Sequence, residues 1–535
     1  MRKPGEIAKF IMPRLTTLFR WRTGFLVLLT FLILTTLWRL HTTEPTIYKQ
    51  YLQSHISKYL EAGRWAYENT LHNEDTKDAV HKSFNFSSPC ENFPDTRGIL
   101  LVMKTGATEA HAKLPTHLVT DLQCLPDLLL FSDLEQQIGK YHVYDALDRV
   151  NQTIRETQYE FSVYKAIQDC PVSQADCIKS FDGGWTWVLD KYKFLWMAVK
   201  TWEMRPNMDW YVFAEADSYI VWSNLAHWLH NIVPKDSLQY LGSKAEFNGF
   251  TFAHGGSGFV MSGSLLRKIV TEIPDVAHKY DGLAPGACCG DYLIALAAQE
   301  VGSTLGDVWP MFNGEKPSTL AYGPSQWCEP LLTMHHMNAE EISKVWQFEQ
   351  TRKQEDHIMI KDMYHTFFAP NLVPVREDWA NLSGDRCYIA PDDNSQEKAT
   401  EDERRMQVPE DRKSPVERHA HENVNACSRV CEAEGLALSE EEYASLGTSG
   451  QNGDLLKSRY VEKSAENKQW HKERKCFQWT FGNGICCTAG SFRLGAPIKE
   501  EIPENRRTSG WFVQGINDWI EATGECRRGE WREPR

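Results

Sequence analysis

Apolar and polar positions change rhythm several times along the chain. The first change is an uncharged run, TGFLVLLTFLILTTLW, at residues 23–38. As a helix it would span ~24 Å, slightly less than an average bilayer core, which suits a thin early-secretory membrane. Trp21 and Trp38 flank the run like interfacial anchors. Arg2, Lys3, Lys9, Arg14, Arg20 and Arg22 precede it against the single acid Glu6. This pattern predicts a cytosolic tail over 1–22 and a transmembrane signal anchor over 23–38. A cleaved signal peptide is the alternative, but TTLWRLHTTEP lacks a small-x-small cleavage pattern and the basic leader is long. Residues 39–96 are polar and aromatic, show no repeated strand pattern and end in SSPCENFPDTRG; they read as a stem.

From Gly98 the rhythm becomes short apolar runs alternating with longer amphipathic ones: GILLVMKTGA, DLLLFSD, KFLWMAVKTWEM, DWYVFAEAD, NLAHWLHNI. That alternation predicts an α/β domain, bounded at 97–380. The segment from Pro391 to Asn423 is densely charged and nearly free of large apolar side chains. It is expected to be a linker or surface excursion, here given the bounds 381–423. Beyond it, Cys427, Cys431, Cys476, Cys486, Cys487 and Cys526 crowd around the apolar CFQW and GWFVQG, predicting a small disulfide-rich α+β domain over 424–530. No internal repeat is visible.

Composition narrows the function classes. With 42% hydrophobic residues the 535-residue chain can bury a core, and a formal charge of −14 argues against nucleic-acid or anionic-surface partners. An anchor of the predicted orientation places everything beyond it in an oxidising lumen, where an even number of cysteines, 14, can pair. Sequons at Asn85, Asn151 and Asn381 agree with that exposure.

Four segments carry candidate chemistry. In DWYVFAEADSYIV a hydrophobic strand runs into Glu215 and Asp217. Two residues apart, these acids point to the same side, and carboxylates at the carboxyl end of a strand suit a metal-bound diphosphate. By spacing alone, a strand ending in a turn explains them as well. HGGSGFVMSGS places Gly255, Gly256 and Gly258 before an apolar strand, where backbone amides can approach a ligand or the chain can simply bend. No GK pair follows, so this is not a Walker loop. Asp291, at the start of the apolar stretch GDYLIALAAQ, can cap a helix or face a cleft. His335 and His336 in TMHHM are imidazoles suited to manganese or zinc.

The order and spacing of these segments resemble glycosyltransferase family 31, the β-1,3-galactosyltransferase and fringe-like enzymes, with the closest look to the core 1 galactosyltransferase branch and its fungal relatives. The family's ILCWVMTGP is matched by ILLVMKTG, its DWFLKADDDTYV by residues 209–221, its GGAGYVLS by GGSGFVMS, its EDLALG by GDYLIA and its SFHYV by TMHHM. Coverage runs over about residues 97–350. The resemblance implies a GT-A-type nucleotide-sugar-binding domain, a mixed sheet flanked by helices. It implies Asp217 as principal metal ligand, Glu215 as a supporting carboxylate, His335 as the distant ligand and Asp291 as general base. Gly255 and Gly256 would line the sugar side of the cleft, and Lys191 or Lys193 would reach the donor phosphates.

The implied activity is inverting, manganese-dependent transfer of a hexose, galactose in β-1,3 linkage being the leading expectation, from a UDP-sugar to a glycan or glycoprotein acceptor. The setting is a type II protein of the Golgi or ER membrane, with a second copy of the chain as a candidate partner. Two departures stand out. The family's DDD is EAD here, and the acid before the candidate base is Gly290. A catalytically silent membrane lectin or chaperone that retains the fold is therefore the rival reading, and a donor carrying N-acetylglucosamine or glucuronic acid is the enzymatic one. The C-terminal cysteines resemble PAN/apple modules, in which a helix bearing CxxxC is tied to a small sheet. That likeness implies a bridge between Cys387 and Cys526, with Cys427 and Cys431 bonded to two of Cys476, Cys486 and Cys487. A zinc site is the competing reading of the same cysteines.

Overall fold

The computed structural model describes residues 89–179, 181, 185–352, 356–445, 453–467, 469–498, 506–526 and 531–532. The tail, the anchor, almost all of the stem and the Asn85 sequon lie outside these residues. Among the described residues no helix is long and apolar enough to cross a membrane. Residues Phe86–Tyr443 and Leu455–Arg535 belong to one compact unit.

Eight strands form its main sheet: β1 (Ile99–Lys104), β2 (Leu128–Ser132), β3 (Gln136–Ile138), β4 (Tyr141–Asp145), β5 (Trp210–Glu215), β6 (Tyr240–Gly242), β7 (Phe259–Ser262) and β8 (Leu305–Asp307). Their order is β8-β6-β7-β5-β1-β2-β4-β3. Strands β5, β1, β2 and β4 run parallel, β7 is antiparallel to both β5 and β6, β8 is parallel to β6, and β3 closes the far edge antiparallel to β4. The expected mixed sheet flanked by helices is therefore present.

All six residues of β1, ILLVMK, are buried, as a strand covered on both faces requires. The period-2 pleat sorts its side chains. Leu100 and Val102 join Tyr211 and Phe213 of β5 in one core. That layer is covered by α2 (Asp190–Met204), α4 (Gly263–Glu272) and α5 (Gly290–Glu300). Ile99, Leu101 and Met103 join Trp210, Val212 and Ala214 under α1 (Ala110–Val119) and α3 (Trp222–Asn231). The chain leaves β1 outward through β2 and β4, then returns on the other side of β1 as β5. The carboxyl ends of β1 and β5 therefore part at the switch point of the sheet, the usual crevice for ligands in open α/β folds.

A second, wholly antiparallel sheet follows, built from β9 (Val375–Glu377), β10 (Arg386–Ile389), β11 (Gln478–Gly482), β12 (Ile485–Ala489) and β13 (Thr508–Trp511) in the order β9-β13-β11-β12-β10. Helix α6 (Val424–Glu432) is stapled to it by Cys427–Cys486 and Cys431–Cys476, within the partner set expected for those two cysteines. The expected bridge between Cys387 and Cys526 does not form. Cys387 stands directly opposite Cys487 across β10 and β12 and pairs with it, while Cys526 pairs with Cys328. No cysteine is free, so a zinc site has no thiolates here.

Two boundaries also move. The charged stretch is not a bare linker. It contributes β10 to the sheet and continues through short helices at Asp393–Lys398, Glu401–Arg405 and Pro415–Arg418, the last two fixed by capping boxes at Thr400 and Ser414. Buried Glu417 accepts a hydrogen bond from Tyr388 at 2.6 Å. The C-terminal sheet also shares a core with residues ahead of it: Trp327, Tyr364 and Phe368 pack with Phe477, Phe492, Trp511 and Trp519. At the other end, the last residues assigned to the stem belong to the folded body, since Cys90 is bridged to Cys124 and Phe93 stacks obliquely on Trp222.

The sequons separate. Asn151 is exposed and caps the helix Gln152–Thr157, accepting from the Thr153 amide. Asn381 is fully buried, with its amide nitrogen donating to the carbonyls of Trp479 and Gly510. It is therefore no surface acceptor in the folded chain.

Candidate functional site

Lys104 and Glu215 are the last residues of β1 and β5 and lie opposite one another in the parallel register. The Lys104 ammonium, 4% exposed, is 2.9 Å from Glu215 Oε1 and also bonds Asp190. Burial alone would favour the neutral amine, but Asp190 and Glu215 outweigh it and hold Lys104 charged, well above its ordinary range. Lys193 lies alongside, 1% exposed, donating to the Thr105 carbonyl at 3.0 Å, with Asp190 at 2.8 Å and Asp133 at 3.4 Å. Lys191 pairs with Glu160 at 2.5 Å. Both lysines expected to meet donor phosphates thus already have acidic partners, and Glu215 is a paired carboxylate.

Two residues beyond Glu215 the chain turns. The Ser218 amide donates to the Glu215 carbonyl at 2.9 Å and the Ser218 hydroxyl to the Gly256 carbonyl at 2.7 Å. A two-residue ladder then sets the site. Thr333 and Met334 pair antiparallel with Ile220 and Tyr219, and the Met337 amide donates to the Asp217 carbonyl at 2.8 Å. This delivers His335 to Asp217, with Nε2 3.2 Å from Oδ1. His336 follows with φ of 58°, and its ring lies 3.9 Å from that of His335. One ligand atom from each of Asp217, His335 and His336 falls within 4.8 Å of the others.

The donor set fits a divalent cation. His335 Nδ1 is buried without a hydrogen-bond partner, and Asp217 Oδ1 has only the 3.2 Å ion-pair contact with the His335 ring, which lacks hydrogen-bond geometry; in a folded protein such atoms call for a ligand or water. Burial would raise the Asp217 carboxyl, but His335 and Lys113, whose ammonium lies 3.2 Å from Oδ2, hold it well below the usual carboxylate range. Burial pushes the His336 imidazole down, aided by the neighbouring His335, which favours the neutral, ligating form.

Gly255 and Gly256 join this group to the candidate base. A Cβ on Gly256 would meet His335 Cε1 at 2.2 Å, so only glycine lets the imidazole lie against the backbone. One residue earlier, the Gly255 amide donates to Asp291 Oδ2 at 2.7 Å, and a Cβ there would sit 3.1 Å from the same oxygen. Asp291 lies in the first turn of α5 but is not its cap, which is Cys289. Burial raises its carboxyl against the pull of the Gly255 amide. The Gly290 departure has a steric cause. Any Cβ at that position would come within 2.5 Å of the Asp190 carbonyl and 2.6 Å of Phe194 where α5 packs on α2.

Asp217, His335, Asp291, Gly255 and Gly256 are thus gathered, Glu215 lies beside them in a salt bridge, and Lys191 and Lys193 bond to other acids. Lys104, Lys113 and His254 went unremarked in the sequence. Lys104 had a signal, being the lone charge in an otherwise apolar buried strand. His254 also had one, as an imidazole immediately ahead of the glycine pair. Its Nδ1 accepts from the Ser257 amide at 3.1 Å and lies 2.9 Å from the Ser257 hydroxyl, and its ring meets that of His335 edge-on at 5.7 Å. No protein-family model matches this chain, and no curated protein is significantly similar to it.

Proposed function

We propose that the chain is a metal-dependent inverting glycosyltransferase of the family 31 kind. It moves a hexose, with β-1,3 galactose the leading candidate, from a UDP-sugar to a glycan or glycoprotein. The reading includes a GT-A-type nucleotide-sugar fold, a PAN/apple-like C-terminal module and a type II anchor in the Golgi or ER membrane. The observation that carries it is the glycine pair: adjacent residues touch Asp291 on one side and His335 on the other, at the switch point of the sheet. A proton acceptor and a cation-binding group thus flank one short stretch of backbone. The fully paired cysteines support an oxidising compartment.

On this reading Asp217, His335 and His336 hold the divalent cation, with manganese expected. When bound, it supplies charge neutralisation to the leaving diphosphate. Asp291 takes the proton of the acceptor hydroxyl, and burial strengthens it as a base. The hydroxyl oxygen forms a bond to the anomeric carbon from the face opposite the diphosphate. The old carbon–oxygen bond breaks, and its electron pair leaves on the diphosphate. Lys104 fixes Glu215, so that carboxylate adds to the local field without being free to ligate.

One observation favours the binding-only rival: Lys191 and Lys193 are both paired with acids, leaving the diphosphate without the lysine expected for it. Titration calorimetry on the purified full-length protein decides between the two, using UDP-galactose, UDP-N-acetylglucosamine and UDP-glucuronic acid with and without manganese, followed by assay of UDP release. Manganese-dependent binding with turnover is expected. Glycan binding without any nucleotide binding would leave the lectin reading, and indifference to manganese would remove the cation from the account.

A further inference from the structure

His254 stands between the two halves of the site, and neither the activity proposed above nor the sequence pattern assigns it a role. Its backbone precedes Gly255, whose amide holds Asp291, and its ring lies against that of His335. Its protonation pattern can be read from its partners. A backbone amide can only donate, so the 3.1 Å contact from the Ser257 amide makes Nδ1 an acceptor. The neutral ring must then carry its proton on Nε2. Among the described residues no protein group accepts from Nε2, and the ring is only half-buried. The Ser257 amide occupies the Nδ1 lone pair and the proton occupies Nε2, so neither nitrogen is free to ligate a cation. His254 is therefore a fixed N–H donor without a protein acceptor, its ring beside the cation group and its backbone one residue ahead of the amide that holds the proton acceptor.

Geometry indicates what that donor meets. In an in-line displacement the attacking oxygen lies at the base and the leaving diphosphate at the cation, so the group between them is the transferred sugar. We propose that His254 is a substrate-contacting residue, its Nε2–H donating to a ring or hydroxyl oxygen of the transferred hexose. This rests on the glycosyltransferase reading. His254 then discriminates a sugar nucleotide from the bare nucleotide and sets the orientation of the anomeric carbon.

The test compares wild type, His254→Ala and His254→Gln as full-length protein, each titrated in manganese with UDP and with UDP-galactose, or with whichever UDP-sugar the wild type takes, and each assayed for turnover. Gln is chosen because its side-chain amide can present an N–H near the position of Nε2. His254→Ala is expected to bind UDP like wild type, to lose about tenfold in affinity for the UDP-sugar, and to lose more in turnover than in binding. His254→Gln should recover part of both. If both variants match wild type for UDP-sugar and turnover, the inference is overturned while the glycosyltransferase reading stands. Equal loss for UDP and UDP-sugar in the folded Gln variant would also overturn it, placing His254 on the nucleotide or cation. A wild type that binds no UDP-sugar overturns the underlying reading, and the inference with it.

Discussion

The switch-point site and the C-terminal sheet both bury reactive side chains, but they dispose of them in opposite ways. In the C-terminal sheet and the helix stapled to it, Cys387, Cys427, Cys431, Cys486 and Cys487 are all fully buried and all consumed in bridges, so none of these thiols is left to react. At the switch point Lys104, Lys193, Asp291 and His335 are buried among charges, and Asp217 Oδ1 and His335 Nδ1 keep unanswered valences. The first region converts polar chemistry into cross-links that restrict the unfolded chain. The second stores it as orphaned donor atoms that a ligand can satisfy. Damage to one should therefore show as lost stability, and damage to the other as lost binding or turnover.

The sharpest way to break this contrast is Asp217→Ala. It should abolish manganese-dependent binding and lower turnover by at least about a thousandfold, while the melting temperature stays within a few degrees. Unchanged turnover, measured as UDP release, would refute the cation assignment. Next, Asp291→Asn keeps an acceptor for the Gly255 amide but cannot take a proton. Donor affinity should survive while turnover falls by about 10²–10⁴-fold. An equal fall in both would assign Asp291 to holding the Gly255 loop rather than to proton transfer. In the opposite region, the double substitution Cys431→Ser with Cys476→Ser opens a loop of 45 residues. Chemical denaturation should show about 3–4 kcal/mol less stability, with manganese affinity unchanged. A matching loss of manganese affinity would mean that the two regions are coupled.

The smallest effect concerns Glu349 on the helix Ala339–Gln350, which accepts from the Tyr219 hydroxyl at 2.6 Å and the Ser223 hydroxyl at 3.1 Å. Burial pushes its carboxyl from 4.5 up to about 7, against those two donors. The folded state thus holds more protons than the unfolded one between those values. Stability should be greatest below about pH 4.5 from this group and fall as pH rises to about 7, by about 3 kcal/mol. Glu349→Gln should flatten that part of the stability–pH curve. An unaltered slope would exclude Glu349 as its source.

What the sequence could reveal follows from which interactions are local. ILLVMK and WYVFAE are continuous apolar runs, so a doubly covered sheet centre is legible in them, and acids just past such a run mark its emergence at a surface. His335 was reachable only through motif order, because nothing in TMHHM records the ladder that seats it beside Asp217. The signal at Lys104 is ambiguous, because one charge after five apolar residues reads equally as a strand end. The acidic partners of Lys191 and Lys193 were not legible because Glu160 and Asp133 lie on other parts of the chain brought near only by folding, while Asp190, three residues before Lys193 on α2, also bonds Lys104. The same holds for Cys526, whose partner is 198 residues away. The charged stretch misled for a different reason. Its helices are held by caps such as Thr400 and Ser414 and by a Tyr388–Glu417 bond, none of which leaves an apolar periodicity.

The staples have a practical corollary for anyone preparing this protein. A protease cutting the backbone anywhere between Cys431 and Cys476 would liberate no fragment, because Cys328–Cys526, Cys387–Cys487, Cys427–Cys486 and Cys431–Cys476 all straddle the cut. Nicked and intact molecules would migrate together on a gel until a reductant was added.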